Sequence, residues 1–178
     1  LATCDDGSCN YDSDGDGVID SEEVVGCQDS LACDYNINAT DSGECFYAQD
    51  GYDCDGNITA EIGDEIEGGY LFYLDETGTR GMVAAMEDLE GVYAWGCYQT
   101  DINSDNSSLS PELDGIGTGL QNTLDIVSGC SETPIPASEA LAYESEGYSD
   151  WYLPSKDELI EMYNTIGNGG PDGNIGGF

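Results

Sequence analysis

The sequence predicts an α+β fold in two parts. A small loop-rich region covers residues 1–60, and a larger domain of short antiparallel strands and two to three helices covers residues 61–178. Two observations predict this division. Six of the eight cysteines lie within the first 54 residues, whereas alternating and helical patterns of apolar residues begin after residue 61.

The cysteines favour disulfides over a zinc site, because the chain has no histidine and no Cys-x-x-Cys motif. Cys97 and Cys130 stand apart from the others and are expected to pair with each other. The remaining six are expected to pair among themselves, in a connectivity that the sequence does not determine. These six are Cys4, Cys9, Cys27, Cys33, Cys45 and Cys54.

A β-hairpin is predicted near the start of the larger domain. Apolar side chains alternate with other residues over 66–74, a turn follows at Asp75–Gly78, and a second apolar segment occupies Gly81–Met86. The segment Val92–Tyr98 is a candidate for a third strand.

Three helices are predicted from apolar spacing and capping residues. The first is indicated by Leu120, Leu124 and Val127, with Thr118 as a candidate N-cap. The second begins at Pro136, because proline suits the first turn of a helix, and extends to about residue 143.

The third helix carries the clearest signals. Ser155 and Glu158 form a capping-box pattern, and Gly167 is the expected stop. The predicted apolar face consists of Leu159, Met162, Tyr163 and Ile166.

Residues 12–23, with the sequence DSDGDGVIDSEE, match the spacing of a calcium-binding loop. Such a loop takes oxygen ligands from its first, third, fifth, seventh, ninth and twelfth positions, with glycine at the sixth, here Gly17. The alternative is a solvated acidic turn, since Asp and Gly also form turns. The predicted Ca²⁺ ligands are Asp12, Asp14, Asp16, the carbonyl of Val18, Asp20 and Glu23.

No helical pattern precedes this loop, and only about one turn could follow it before Gly26. The loop therefore resembles those of dockerins and thrombospondin type 3 repeats, rather than a sensor with paired helices. This resemblance implies a structural calcium ion. Loops in extracellular modules bind with dissociation constants of roughly 0.1–1 mM.

A second candidate metal loop is degenerate. Asp101, Asn103, Asp105 and Glu112 have suitable spacing, but Asn106 replaces the central glycine. A polar turn is the favoured interpretation of this segment.

Several sequence patterns are candidates for glycosylation. Asn38, Asn57 and Asn106 lie in N-glycosylation sequons, which matter only in a host that uses them. Ser30 lies in an Asp-Ser-Leu segment that fits a short O-glycosylation pattern associated with Bacteroidota.

The chain is strongly acidic, with 38 Asp and Glu residues, two basic residues and a formal charge of −36. This charge argues against binding to nucleic acid, because both partners would be anionic. No apolar run is long enough to span a membrane, so membrane insertion is not expected. The composition suits salty, calcium-containing water, where screening and bound ions offset self-repulsion.

Catalysis is not expected. Without histidine, the chain has no Ser-His or Cys-His pair. Carboxylate pairs are uninformative among so many acidic residues, and no phosphate-binding loop is present.

The segment Gly147–Leu159, GYSDWYLPSKDEL, resembles the signature of a C-type-lectin-like domain of secreted bacterial proteins, also found at the C-terminus of a collagen-like bacterial adhesin. Three further segments, at residues 68–73, 94–97 and 117–123, also match this family, so the resemblance covers roughly residues 62–178. It implies a lectin-like fold, a cell-surface location and adhesion without catalysis. Residues 26–45 resemble cysteine-rich repeats of marine Bacteroidota.

The chain resembles only part of this family's domain. The family's final strands would follow residue 178, and the sugar-binding triplets of calcium-dependent lectins are absent. An incomplete sheet would expose an edge on which a second subunit could pair. We therefore expect a secreted structural or adhesion protein that self-associates into a filament or surface layer. The alternative is a glycan-binding module that uses loops near residues 99–115 and 147–153.

Overall fold

The computed structural model describes residues 11–97 and 114–177. The chain divides into two compact units, Leu1–Asn57 and Ile58–Phe178, where the sequence places the boundary after residue 60. The fold is a small α+β arrangement of short strands and helices. None of the helices in the described ranges has the length and apolar character that a membrane span requires.

The described residues of the first unit, 11–57, contain little regular structure. Strands β1 (Val25–Gly26) and β2 (Asp41–Ser42) form a short parallel pair. Two disulfides, Cys27–Cys45 and Cys33–Cys54, cross-link the surrounding loops. Disulfides of this kind compensate for a small hydrophobic core. Cys4 and Cys9 lie outside the described residues.

The second unit contains an antiparallel sheet with the order β3-β4-β5. Its strands are β3 (Glu65–Ile66), β4 (Gly69–Leu74) and β5 (Gly81–Ala85). The predicted hairpin is therefore present as β4 and β5. A two-residue turn joins β3 to β4, and both of its residues, Glu67 and Gly68, have positive φ, as in a type I′ turn.

The prediction of a strand at Val92–Tyr98 was wrong. Residues 92–97 form no strand, and Tyr98 lies outside the described residues. Gly96 and Cys97 both adopt left-handed backbone conformations, with φ values of 86° and 45°, which interrupt an extended segment. Val92 is fully exposed, so no buried face holds this segment in a sheet.

In the described part of the chain, three helices with defined bounds follow the sheet in sequence. Helix α1 spans Gly119–Gly129, α2 spans Pro136–Ala142 and α3 spans Lys156–Thr165. The capping box of α3 is present: Ser155 Oγ accepts the Glu158 N–H at 3.3 Å, and Glu158 Oε2 accepts the Ser155 N–H at 2.7 Å. Thr118 occupies the N-cap position of α1 but does not cap it, because its hydroxyl donates to the Gly115 carbonyl.

The core of the second unit has two small clusters. One contains Phe72, Ala84 and Ile166, and the other contains Cys130, Ile135 and Ala137. The predicted apolar faces of α1 and α3 are only partly buried. The residues that remain between 43% and 55% exposed are Leu120, Leu124, Leu159 and Tyr163.

Helix α1 instead packs through its small residues. Gly119 and Thr123 are buried, and a Cβ atom at Gly119 would lie 2.7 Å from Tyr152 Cε2 and 2.8 Å from the Leu153 carbonyl oxygen. Thr123 Oγ1 donates to the Gly119 carbonyl at 2.8 Å and accepts the Leu153 N–H at 3.0 Å. This close approach places the leucines of α1 away from the core.

Gly119→Ala is expected to reduce the free energy of unfolding by about 1–3 kcal/mol, because the added methyl overlaps the Glu158 carboxylate and the Tyr152 ring. Urea denaturation measures this change. Ser128→Ala, at an exposed position of the same helix, is the control and should change stability by less than about 0.5 kcal/mol. Equal effects of the two substitutions would contradict the close packing at Gly119.

Cys97 and Cys130 form a disulfide, the pairing expected from the sequence, at a sequence separation of 33. Replacing both with serine is expected to reduce the free energy of unfolding by about 2–4 kcal/mol, because the unfolded chain is no longer constrained. Urea denaturation without reductant measures the difference. A midpoint equal to that of the unmodified chain would contradict this expectation.

Candidate metal centre

Four carboxylates of the first unit converge in the loop predicted to bind calcium. One oxygen from each of Asp12, Asp14, Asp16 and Glu23 lies within 4.8 Å of the others. These residues occupy the first, third, fifth and twelfth positions of the loop. The group could hold a metal ion through hard oxygen ligands.

The loop curls around the side chain of Asp12. Its Oδ1 accepts the Gly15 N–H at 2.7 Å, and its Oδ2 accepts the Gly17 N–H at 3.2 Å. Gly15 and Gly17 have φ values of 85° and 100°, which glycine adopts without steric cost. Asp16 continues the pattern by accepting the Val18 N–H at 2.8 Å. Repeated turns of this kind direct successive carboxylates toward one side.

Asp20 lies outside the group of four carboxylates. Its two oxygens accept hydrogen bonds from the backbone N–H and the hydroxyl of Ser13, both at 2.8 Å. Its own N–H donates to the Tyr11 carbonyl at 2.7 Å. Asp20, at the ninth position, is therefore hydrogen-bonded to the start of the loop at residues 11–13. The predicted metal-binding roles of Asp20 and of the Val18 carbonyl stay predictions.

The electrostatics of the loop favour a bound cation. Partial desolvation raises the pKa of Glu23, and the negative charges of Asp41, Asp20 and Asp14 raise it further. The chain's two basic residues, Arg80 and Lys156, both belong to the second unit. Since no basic side chain within the first unit offsets these charges, a divalent ion would relieve their repulsion.

The other sites predicted from the sequence are only partly described. The second candidate metal loop, with Asp101, Asn103, Asp105 and Glu112, lies outside the described residues, as does Asn106. Ser30 and Asn38 are exposed. Asn57 is half-buried, and its side-chain amide donates to Asp53 at 2.8 Å.

The second unit contains a cleft of about 310 Å³ that the sequence did not predict. We call it the acidic cleft, because its lining includes the carboxylates of Glu67, Glu87, Asp88 and Asp150. Part of its wall comes from residues 148 and 150–154, which overlap the loop at 147–153 that the sequence offers for glycan binding. The residues meet only in the folded chain, so no local motif indicates the cleft.

Comparison with known proteins gives no assignment: no family model, no curated protein and no solved structure matches this chain.

Proposed function

We propose that this protein is a secreted structural or adhesion protein whose first unit is stabilised by Ca²⁺. The observation that carries the proposal is the convergence of Asp12, Asp14, Asp16 and Glu23 in a unit that two disulfides cross-link. Three disulfides in the described residues fit an oxidising or extracellular environment.

The choice of calcium rests on ligand chemistry and loop spacing. Carboxylate oxygens suit both Ca²⁺ and Mg²⁺, but a flexible loop with several carboxylates favours the larger ion, which accepts irregular coordination. The exposed position of Asp14 and Asp16 also suits a weak site. Such a site would be filled in calcium-rich extracellular fluid or seawater, where millimolar calcium is available.

Self-association into a filament or surface layer is supported by exposed apolar side chains in the first unit. Large apolar side chains that the folded unit leaves exposed lose contact with water when they pack against another copy, which favours association. Association between copies that each carry a charge of −36 requires screening or bound cations, which links assembly to calcium. The exposed residues include Val25, Leu31, Ile37 and Phe46, with exposures between 68% and 82%.

Electron microscopy of the chain with calcium and with a chelator tests this function. We expect ordered polymers in calcium that dissociate on chelation. Glu23→Gln should require more calcium for assembly, whereas Glu22→Gln, its exposed neighbour with the same change of charge, should behave like the unmodified chain. Single particles in both conditions would contradict the assembly proposal. Binding to immobilised glycans that persists in chelator would instead favour the lectin-like alternative.

A further inference from the structure

Strand β5 is an edge of the sheet in the second unit, because it pairs only with β4 among the described strands. On the far side of β4, Leu71 exchanges backbone hydrogen bonds with Asp64 and Gly63, so its polar groups point toward β3. The backbone groups of Tyr70 therefore point toward Ala84, its partner in β5. By the same alternation, the backbone groups of Val83 and Ala85 point away from the sheet.

The acidic cleft runs along this edge. All five residues of β5, Gly81–Ala85, line the cleft, and residues 148 and 150–154 form another part of its wall. Outward backbone groups beside a cleft are the arrangement that binds an added strand. No hydrogen bond within the described ranges joins the outer backbone groups of Val83 and Ala85 to another element.

The charge of the cleft limits what such a strand can carry. Among the described residues that line it, no lysine or arginine accompanies the carboxylates of Glu67, Glu87, Asp88 and Asp150. A fifth lining carboxylate, Glu158, already accepts hydrogen bonds from backbone N–H groups. With no basic residue among the described lining residues, the carboxylates of the cleft give a net negative surface that favours a cationic ligand.

Aromatic side chains add a second preference for cations. Trp151 and Tyr143 meet edge to face with ring centroids 5.6 Å apart, and the Trp151 indole N–H donates to the Tyr148 carbonyl at 3.1 Å. Both contacts hold the indole ring in place within the cleft wall. Aromatic faces attract ammonium and guanidinium groups, especially beside carboxylates.

We infer that β5 and the acidic cleft bind an extended segment of a separate partner polypeptide, and that this segment bears lysine or arginine side chains. A second copy of the chain is a poor occupant, because each copy has only Arg80 and Lys156. Lys156 also pairs with Asp114 at 3.1 Å. The inference concerns the second unit and does not depend on calcium binding by the first.

Peptide titration of the full 178-residue chain tests this inference. The probe is a fluorescent peptide of about eight residues that alternates lysine and valine, in about 150 mM salt to screen distant charges. The comparison peptide keeps the lysines but replaces the valines with proline, which cannot form a ladder. We expect the valine peptide to bind at least about tenfold more tightly than the proline peptide.

Paired variants separate the cleft from general attraction to an acidic protein. Glu87→Gln with Asp150→Asn should weaken binding at least about fivefold. Glu132→Gln with Asp172→Asn removes the same charge from exposed positions outside the cleft and should change binding less than about twofold. Equal weakening by both pairs would overturn the inference.

Hydrogen exchange provides a readout on the unmodified chain. Bound peptide should slow exchange at the amides of Val83 and Ala85, which point away from β4. Unchanged exchange at both amides at saturating peptide would overturn the inference. So would binding of a neutral glycan in the cleft with no binding of the lysine peptide.

Discussion

Replacing Glu158 with alanine is expected to lower the free energy of unfolding of the second unit by about 3 kcal/mol or more. The side chain is fully buried at the start of α3. Its carboxylate accepts the N–H groups of Gly117 at 2.7 Å, Gly119 at 3.3 Å and Ser155 at 2.7 Å. Glu158 thus joins the first turn of α3 to the first turn of α1. Alanine would leave the buried N–H groups of Gly119 and Ser155, and the part-buried N–H of Gly117, without their acceptor and would open a cavity.

Denaturation by urea, followed by circular dichroism, measures this loss. Glu161→Ala is the matched control, since it makes the same change of charge within the same helix at a partly exposed position. We expect the control to change the free energy of unfolding by less than about 1 kcal/mol. A similar loss for both variants would show that charge or helix propensity, rather than the hydrogen bonds of Glu158, determines the effect.

Glu23→Gln is expected to weaken calcium binding by at least about tenfold. Within the carboxylate group, Glu23 alone comes from the C-terminal end of the loop. It occupies the twelfth position, which normally supplies both carboxylate oxygens to the ion. Glutamine keeps the size of the side chain but offers a single neutral oxygen. The first unit should therefore need more calcium to reach the same stability.

Isothermal titration calorimetry with calcium chloride measures the affinity. Glu22→Gln is the control and should bind calcium with nearly the affinity of the unmodified chain, since its side chain lies outside the carboxylate group. If both substitutions weaken binding equally, the calcium is attracted by total charge and the loop is not a specific site.

Patterns among neighbouring residues predicted three features of this protein: the capping box of α3, the carboxylate group of the first unit and the hairpin of β4 and β5. The capping box of α3 depends on Ser155 and Glu158, three residues apart, so the sequence contains everything needed to recognise it. The carboxylate group of residues 12–23 follows from fixed spacing and from glycine at the turn. The hairpin of β4 and β5 was similarly indicated by alternation around a turn.

Features that depend on distant residues were not predicted. The buried face of α1 is set by Gly119 and Thr123 against Leu153, so apolar spacing alone placed Leu120 and Leu124 on the wrong side. Strand β3 is only two residues long and has too few positions to show alternation. The second role of Glu158, as acceptor for the N–H groups of α1, spans about forty residues and has no local signal.

The disulfides show the same limit. Cys97 and Cys130 could be paired by elimination, whereas the pairs Cys27–Cys45 and Cys33–Cys54 could not be chosen among the alternatives. Their choice depends on how the loops of the first unit fold. In the structure, the Cys33 N–H donates to the carbonyl of Phe46 at 2.7 Å, so Cys33 of one bridge lies beside the residue that follows Cys45 of the other.

We propose that calcium stabilises the first unit through residues 12–23. Hydrogen exchange of the unmodified chain, in millimolar calcium and in chelator, tests this claim most directly. We predict that calcium slows exchange of the Gly15, Gly17 and Val18 amides, which hydrogen-bond to Asp12 and Asp16, while exchange in β4 changes little. Equal exchange of the loop amides in both conditions would contradict the claim.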